Sequence, residues 1–152
     1  MPVETLPRPE DCNCFAVRSA ARHVSQFYDE FLAPIGLRTT QFSILATIER
    51  RGPLTINALA NDMVMDRTTL GRNILPLERD GLIAIVKGHD RRSKIVQLTE
   101  AGAARFNAAV KGWVEAQRRF EAALGAERTM ELRALLHAVA ATDLGGAVRS
   151  DP

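Results

Sequence analysis

Residues 66–99 read DRTTLGRNILPLERDGLIAIVKGHDRRSKIVQLT, and the change of period inside this stretch decides the fold. Asp66 is placed to cap a helix, and Leu70, Ile74 and Leu77 recur behind it at three- and four-residue spacings. At about 100° per residue, Ile74 and Leu77 fall within roughly 40° of Leu70, while Thr68, Arg72, Leu75 and Arg79 fall on the opposite side. Pro76 removes a backbone donor and is expected to loosen the last turn. Gly81 stands where a helix ends in the left-handed conformation. After it comes the short β-branched run Leu82–Val86, then a polar stretch from Lys87 to Lys94, then a second short run, Ile95–Leu98. Two strands around a basic, glycine-containing loop read as a hairpin.

Working outward, the spacing predicts four helices before the hairpin and two after it. The first runs from about Asp11 to Ala33 on the stripe Val17, Ala20, Ala21, Val24, Phe27, Tyr28, Phe31 and Leu32, and Pro34-Ile35-Gly36 ends it. The second has Thr39 as its cap, carries Phe42, Leu45, Ala46 and Ile48 inward, and stops at Gly52-Pro53. Thr55 caps a short third helix, and the helix capped by Asp66 is the fourth. Thr99 caps a long helix with Phe106, Val110, Trp113, Phe120 and Leu124 at roughly heptad spacing, and a last helix carries Leu132, Leu135, Leu136 and Val139. The expected fold is mainly α with a small β-hairpin. A single domain is expected over residues 11–141, between a flexible arm (1–10, with Pro2, Pro7 and Pro9) and a flexible tail (142–152).

Composition narrows the function classes. Hydrophobic residues make up 46% and charged residues 25%, as in an ordinary globular protein. No apolar run approaches the roughly 18 residues of a membrane span, and Met1-Pro2-Val3-Glu4 has no signal-like pattern, so a cytoplasmic protein is expected. A disulfide between Cys12 and Cys14 would be strained by their separation. Cys12, Cys14 and His23 lack a fourth partner for zinc, so no metal and no cofactor are expected. His23, His89 and His137 have no Ser or Cys at a catalytic spacing, and there is no phosphate-binding glycine loop; an enzyme is not expected. The net charge is +2, yet residues 66–94 alone carry seven basic against four acidic side chains. That local excess suits a polyanion.

Two short helices with a tight connection, followed by a basic hairpin, are what a winged helix-turn-helix needs, over a core of about residues 37–99. The second short helix would enter the major groove, and the hairpin would reach the backbone or the minor groove. Thr68 and Arg72 suit thymine-methyl and guanine-edge contacts. Plainer readings stand beside this one: an amphipathic core helix with a polar back, a solvated hairpin tip, or a winged helix that binds only proteins and answers to no effector.

Asp90-Arg91-Arg92-Ser93 followed by Leu98-Thr99-Glu100-Ala101-Gly102 resembles the wing and Leu-Thr-x-x-Gly signature of the MarR family. Leu77-Glu78-Arg79-Asp80-Gly81-Leu82-Ile83 and Leu37-Arg38-Thr39-Thr40-Gln41-Phe42-Ser43-Ile44-Leu45 resemble it too, and the likeness covers about residues 12–141. The resemblance implies a two-fold homodimer, with helices at about 11–33 and 100–141 interlocking. It implies repression at a palindromic operator in double-stranded DNA, relieved by a small aromatic ligand or by oxidation. The DNA-contacting set would be Arg67, Thr68, Thr69, Arg72, Asp90, Arg91, Arg92 and Lys94, with Arg92 in the minor groove and Asp90 holding its guanidinium. Cys14-Phe15-Ala16 and Tyr28 resemble positions of the branch that senses organic hydroperoxides, with Arg18 where that branch keeps a second tyrosine. Three readings of this end stay open: Cys14 as a buried packing residue, Cys14 as a redox point, and Arg18 as the anchor for an aromatic carboxylate.

Overall fold

The computed structural model describes residues 6–90 and 92–145. Its helices are α1 (Asn13–Leu32), α2 (Thr39–Arg51), α3 (Ile56–Asp62), α4 (Arg67–Arg79), α5 (Glu100–Leu124) and α6 (Ala126–Ala141). The strands are β1 (Leu54–Thr55), β2 (Ile83–Lys87) and β3 (Lys94–Leu98). Among the described residues no helix is long and apolar enough to cross a membrane. The chain divides into two compact units, one reaching to Ala116 and the other starting at Gln117.

The first unit is built around the helix that the sequence placed first. Leu70, Ile74 and Leu77 of α4 are buried, while Leu75 is 66% exposed, as the 100° projection requires. They meet Ile44, Leu45 and Ile48 of α2, Leu59 of α3, Leu82 just before β2 and Val96 of β3 in one core. Pro76 sits inside α4 without ending it. The connection from α3 to α4 turns at Val64, whose φ of 54° is left-handed. That conformation costs a non-glycine residue roughly 1–2 kcal/mol, and it is held by bonds from Val64 N to Asn61 O (3.1 Å) and Met65 N to Ala60 O (2.9 Å).

The structure corrects the reading at several points. The sheet has three strands in the order β1-β3-β2, all antiparallel, because Leu54 and Thr55 pair with Val96 and Ile95. Two residues are too few to show a period. Thr39 is the first residue of α2 rather than its cap: Arg38 stands at the cap position, its N–H donates to Gln41 Oε1 (3.0 Å), and Thr39 N–H donates to Asp29 Oδ1 (2.7 Å). Acceptors from Gln41 and α1 make a capping hydroxyl unnecessary. α1 is capped by Cys12, whose sulfur accepts from Phe15 N–H at 3.5 Å. In the arm, Pro9–Asp11 form a 3-10 turn and Arg8 pairs with Glu10 at 2.8 Å. The rest of the expected arm and tail lies partly outside the described residues. The expected α1 stripe is covered only toward its end: Leu32 is fully buried, whereas Val17 is nearly half exposed.

Thr99 joins three elements. Its N–H donates to Leu82 O (3.1 Å), its hydroxyl donates to Gly81 O (2.6 Å), and the same oxygen accepts from Gly102 N (3.0 Å), capping α5. Gly102 lies so close behind that a Cβ there would overlap the carbonyl oxygen of Leu82. Gly112 meets the carbonyl of Phe31 in the same way, seating α5 against α1.

In the second unit, α6 follows the left-handed Gly125 (φ 97°), and Thr129 donates its hydroxyl to Gly125 O at 2.8 Å. Its apolar side chains are not inside: Met130 and Leu135 are each 66% exposed, and Leu132, Leu136 and Val139 are exposed as well.

One substitution checks the close packing by its sign. Alanine in place of a helical glycine normally stabilises by up to about 1 kcal/mol. Gly71→Ala, where an added Cβ meets nothing within 4 Å, is expected to do so. Gly102→Ala should instead destabilise by about 1–3 kcal/mol or more, the usual cost of overpacking. Urea unfolding of the two variants measures both signs; a stabilised Gly102→Ala would contradict the α5–Leu82 contact.

Candidate nucleic-acid interface

The N-terminal turn of α4 is organised by one carboxylate. Asp66 Oδ1 accepts from Thr69 N–H at 2.7 Å, and Asp66 Oδ2 accepts from the Thr69 hydroxyl at 3.1 Å. A carboxylate at this end also faces the positive pole of the helix. Asp66 is held below the usual carboxylate range, first by the Thr69 backbone N–H and then by the Thr69 hydroxyl, with the Arg72 charge a smaller contributor. Around this cap, Arg67, Thr68, Thr69 and Arg72 are all exposed. Thr69 differs from the other three, because its N–H and hydroxyl are committed to Asp66. Asn73 donates to Thr69 O (2.8 Å) and tightens the same turn.

The hairpin presents the second group. Gly88 N–H donates to Ser93 O (2.9 Å), and Asp90 O accepts from both the N–H and the hydroxyl of Ser93 (3.0 Å each). A Cβ at Gly88 would strike the Ser93 hydroxyl, so a side chain there would require Ser93 to shift. Asp90, Arg92 and Lys94 are exposed; Arg91 lies outside the described residues. Asp90 does not hold the Arg92 guanidinium. Its carboxylate accepts from the Arg92 backbone N–H at 3.2 Å, which closes the turn and leaves the guanidinium toward solvent. At the loop end of the ladder, Lys87 stands directly opposite Lys94. Like charges in that register are destabilising, and a polyanion relieves the repulsion.

Sequence reasoning missed Arg38. It lines a polar cleft of about 370 Å³, together with Asp29, Thr40, Arg72 and Asn73, between α1, the start of α2 and α4. The signal was a basic residue just before the threonine pair that opens α2.

The structure does not bring the effector candidates together. Cys14 and Arg18 are exposed near the start of α1, so packing inside this chain does not account for Cys14. Tyr28 is half-buried and meets Phe27 edge-on, with ring centroids 5.7 Å apart. Fourteen residues of helix separate it from Cys14, about 21 Å.

A capped helix with a polar outer face, a tight connection before it and a basic hairpin after it define a winged helix-turn-helix. The sequence pattern of the MarR family matches residues 37–94. The transcriptional regulator PecS of Dickeya dadantii is 33% identical over 118 residues, covering 74% of this chain and 70% of PecS. The M. tuberculosis regulator MosR in complex with DNA superposes with a TM-score of 0.74 at 38% identity, over 84% of this chain and 96% of MosR. The organic hydroperoxide resistance regulator of Bacillus subtilis is 26% identical over 91 residues, covering 59% of this chain and 62% of its own length. The chain spans 57–66% of the length of several further curated relatives. The chain belongs to the MarR family. The family and these relatives are transcriptional regulators, not enzymes.

The Asp66 cap carries a pH signature. Its folded value lies below the unfolded value near 3.8, so its contribution is full above that value and is lost as pH falls through the folded one. Asp66→Asn keeps an acceptor for the cap but carries no charge. The stability gap between the two proteins is therefore expected to narrow as pH drops below 3.8. Urea unfolding at stepped pH measures it, and a constant gap would contradict an ionised cap.

Proposed function

We propose that this chain is a dimeric repressor that reads a palindromic operator in double-stranded DNA and leaves it on meeting an effector. The observation that carries the DNA reading is the pair of surfaces described above: α4, apolar side buried and Arg67, Thr68 and Arg72 outward, and the hairpin with its opposed lysines and exposed Arg92. In this reading Arg67, Thr68, Thr69 and Arg72 face the major groove, and Asp90, Arg91, Arg92 and Lys94 form the wing. The DNA-bound MosR supports it. Residues 11–141 act as one domain, with the reading head at about 37–99 and the dimer helices at about 11–33 and 100–141. The uncovered side chains of α6 support a second copy as their cover, since five large apolar groups left in water on one helix are costly.

Two α4 helices related by a two-fold axis should read half-sites about one turn, roughly 34–36 Å, apart. On an operator selected from random DNA, Arg72→Ala is expected to cost about 1–3 kcal/mol at one base pair per half-site and to relax specificity there. Arg92→Ala should weaken binding across sequences and reduce the salt slope by about one unit. Leu135→Asp should lower the sedimenting species from dimer to monomer and abolish tight binding to the paired half-sites. Binding by Arg72→Ala and Arg92→Ala as tight as wild type at physiological salt would return the chain to a winged helix that binds proteins only.

Release is assigned to the exposed start of α1, on the strength of Cys14 and of the hydroperoxide regulator among the relatives. A peroxide would transfer one oxygen to the Cys14 thiolate, giving a sulfenic acid and the corresponding alcohol or water. The competing effector is an aromatic acid whose carboxylate pairs with Arg18. Because Cys14 and Tyr28 are far apart on one helix, any contact between them runs from one protomer to the other. Cys14→Ser separates the effectors: it stays on DNA under organic peroxide if oxidation releases wild type, and it still leaves with the acid if Arg18 is the anchor. Wild type that ignores every peroxide removes the redox reading.

A further inference from the structure

We propose that Thr99 is a positioning residue for DNA binding, whose hydroxyl sets the angle of the wing against the reading helix. Three facts meet there. Its hydroxyl donates to Gly81 O at 2.6 Å, at the point where the chain leaves α4 in a left-handed turn (φ 73°). Its N–H donates to Leu82 O at 3.1 Å, immediately before β2 begins, and it follows Leu98, the last residue of β3. The same hydroxyl oxygen accepts from Gly102 N at 3.0 Å, and Gly102 leaves no room for a Cβ against Leu82.

The base of the hairpin is also held by buried Leu82, Ile83 and Val96. Apolar burial is non-directional, so it keeps these groups together without fixing the twist of the hairpin about Gly81. Backbone bonds from Gly81 N–H to Glu78 O and Leu82 N–H to Leu77 O (2.9 Å each) and the β1–β3 pairing orient part of this joint. The Thr99 bridge adds a directional bond across it, since hydrogen bonds weaken steeply with angle. The hydroxyl is both donor and acceptor here, and valine, its near-isostere, can be neither. Without the bridge the wing shifts about Gly81, and Arg92 loses its place on the DNA while α4 keeps its own. The inference rests on the wing contact proposed above, and its test is built to separate the two.

Operator binding is followed by anisotropy at stepped salt for wild type, Thr99→Val, Thr99→Ser, Arg92→Ala and the double variant Thr99→Val/Arg92→Ala. Thr99→Val is expected to lower the salt slope by about one unit, as the loss of one phosphate contact does. Combined with Arg92→Ala it should add little, because the Arg92 contact is already gone, and Thr99→Ser should match wild type. A purely structural threonine would lower the unfolding midpoint and leave the slope alone. The proposal is overturned if Arg92→Ala lowers the slope and Thr99→Val does not, or if their losses add. If Arg92→Ala itself leaves the slope unchanged, the wing contact is wrong and this inference falls with it. Should Thr99→Val not fold, Thr99→Asp replaces it. Aspartate caps α5 but has no proton to give Gly81, and non-additivity with Arg92→Ala reads the coupling apart from the added charge.

Discussion

Gly102 packs so closely on the carbonyl of Leu82 that no side chain fits between them, and the arrangement of the reading head follows from this contact. Leu82 is the residue by which the chain passes from α4 into β2, and Thr99 turns β3 into α5. Holding Gly102 against Leu82 brings both passages to one point. There Thr99 satisfies a carbonyl left free at the end of one helix and an N–H left free at the start of another. The Leu-Thr-x-x-Gly pattern is thus a packing rule: threonine for a hydroxyl that gives and accepts, glycine for the approach. Gly112 repeats the device where α5 passes Phe31, so the first unit is assembled on two contacts that allow no side chain.

Charge is distributed to match. Three carboxylates in or beside residues 37–99 are used on the backbone, Asp66 on Thr69 N–H, Asp90 on Arg92 N–H and, from α1, Asp29 on Thr39 N–H, while Asp62 pairs with Arg51 and Asp80 with Arg79. A carboxylate that accepts a backbone N–H shapes a turn or a helix end and is spent locally. The basic residues Arg67, Arg72, Arg92 and Lys94 stay exposed. The surface ion pairs that do form, Arg51–Asp62 and Arg79–Asp80, are worth less than about 1 kcal/mol each. Lys87 facing Lys94 shows the same bias, since a hairpin selected for its own stability would oppose unlike charges there.

Much of this was legible in residues 66–99, because periodicity reports burial directly. Leu70, Ile74 and Leu77 announce the inner face of α4, and Asp66 and Gly81 its ends. β1 was not legible, because Leu54 and Thr55 owe their strand character to partners forty residues away. Nor was the start of α2, where an acceptor from α1 took the place of a hydroxyl that a local rule assigns to Thr39. The Asp90–Arg92 pairing carried over from the family is geometric, and in a six-residue loop the backbone N–H reaches the carboxylate first. Arg38 escaped notice because a lone arginine before a helix has no period. The cleft it shares with Arg72 exists only once α1, α2 and α4 are in place.

In the proposed DNA reading, the start of α4 sets what kind of reader this is. Many anion sites use the free N–H groups of a helix end, which bind phosphate without regard to base sequence. Here the chain fills that role itself, since Asp66 takes the Thr69 N–H and its negative charge disfavours a phosphate at that position. What remains available on α4 is side chain: Arg67, Thr68 and Arg72. Side chains of this type distinguish base edges in the major groove, where backbone donors mostly position. Sequence-independent attraction then falls to the hairpin, with Arg92 and Lys94 on a turn closed by Asp90 and Ser93. In that reading specificity and electrostatic grip are carried by different elements, and their relative placement passes through the few atoms around Thr99.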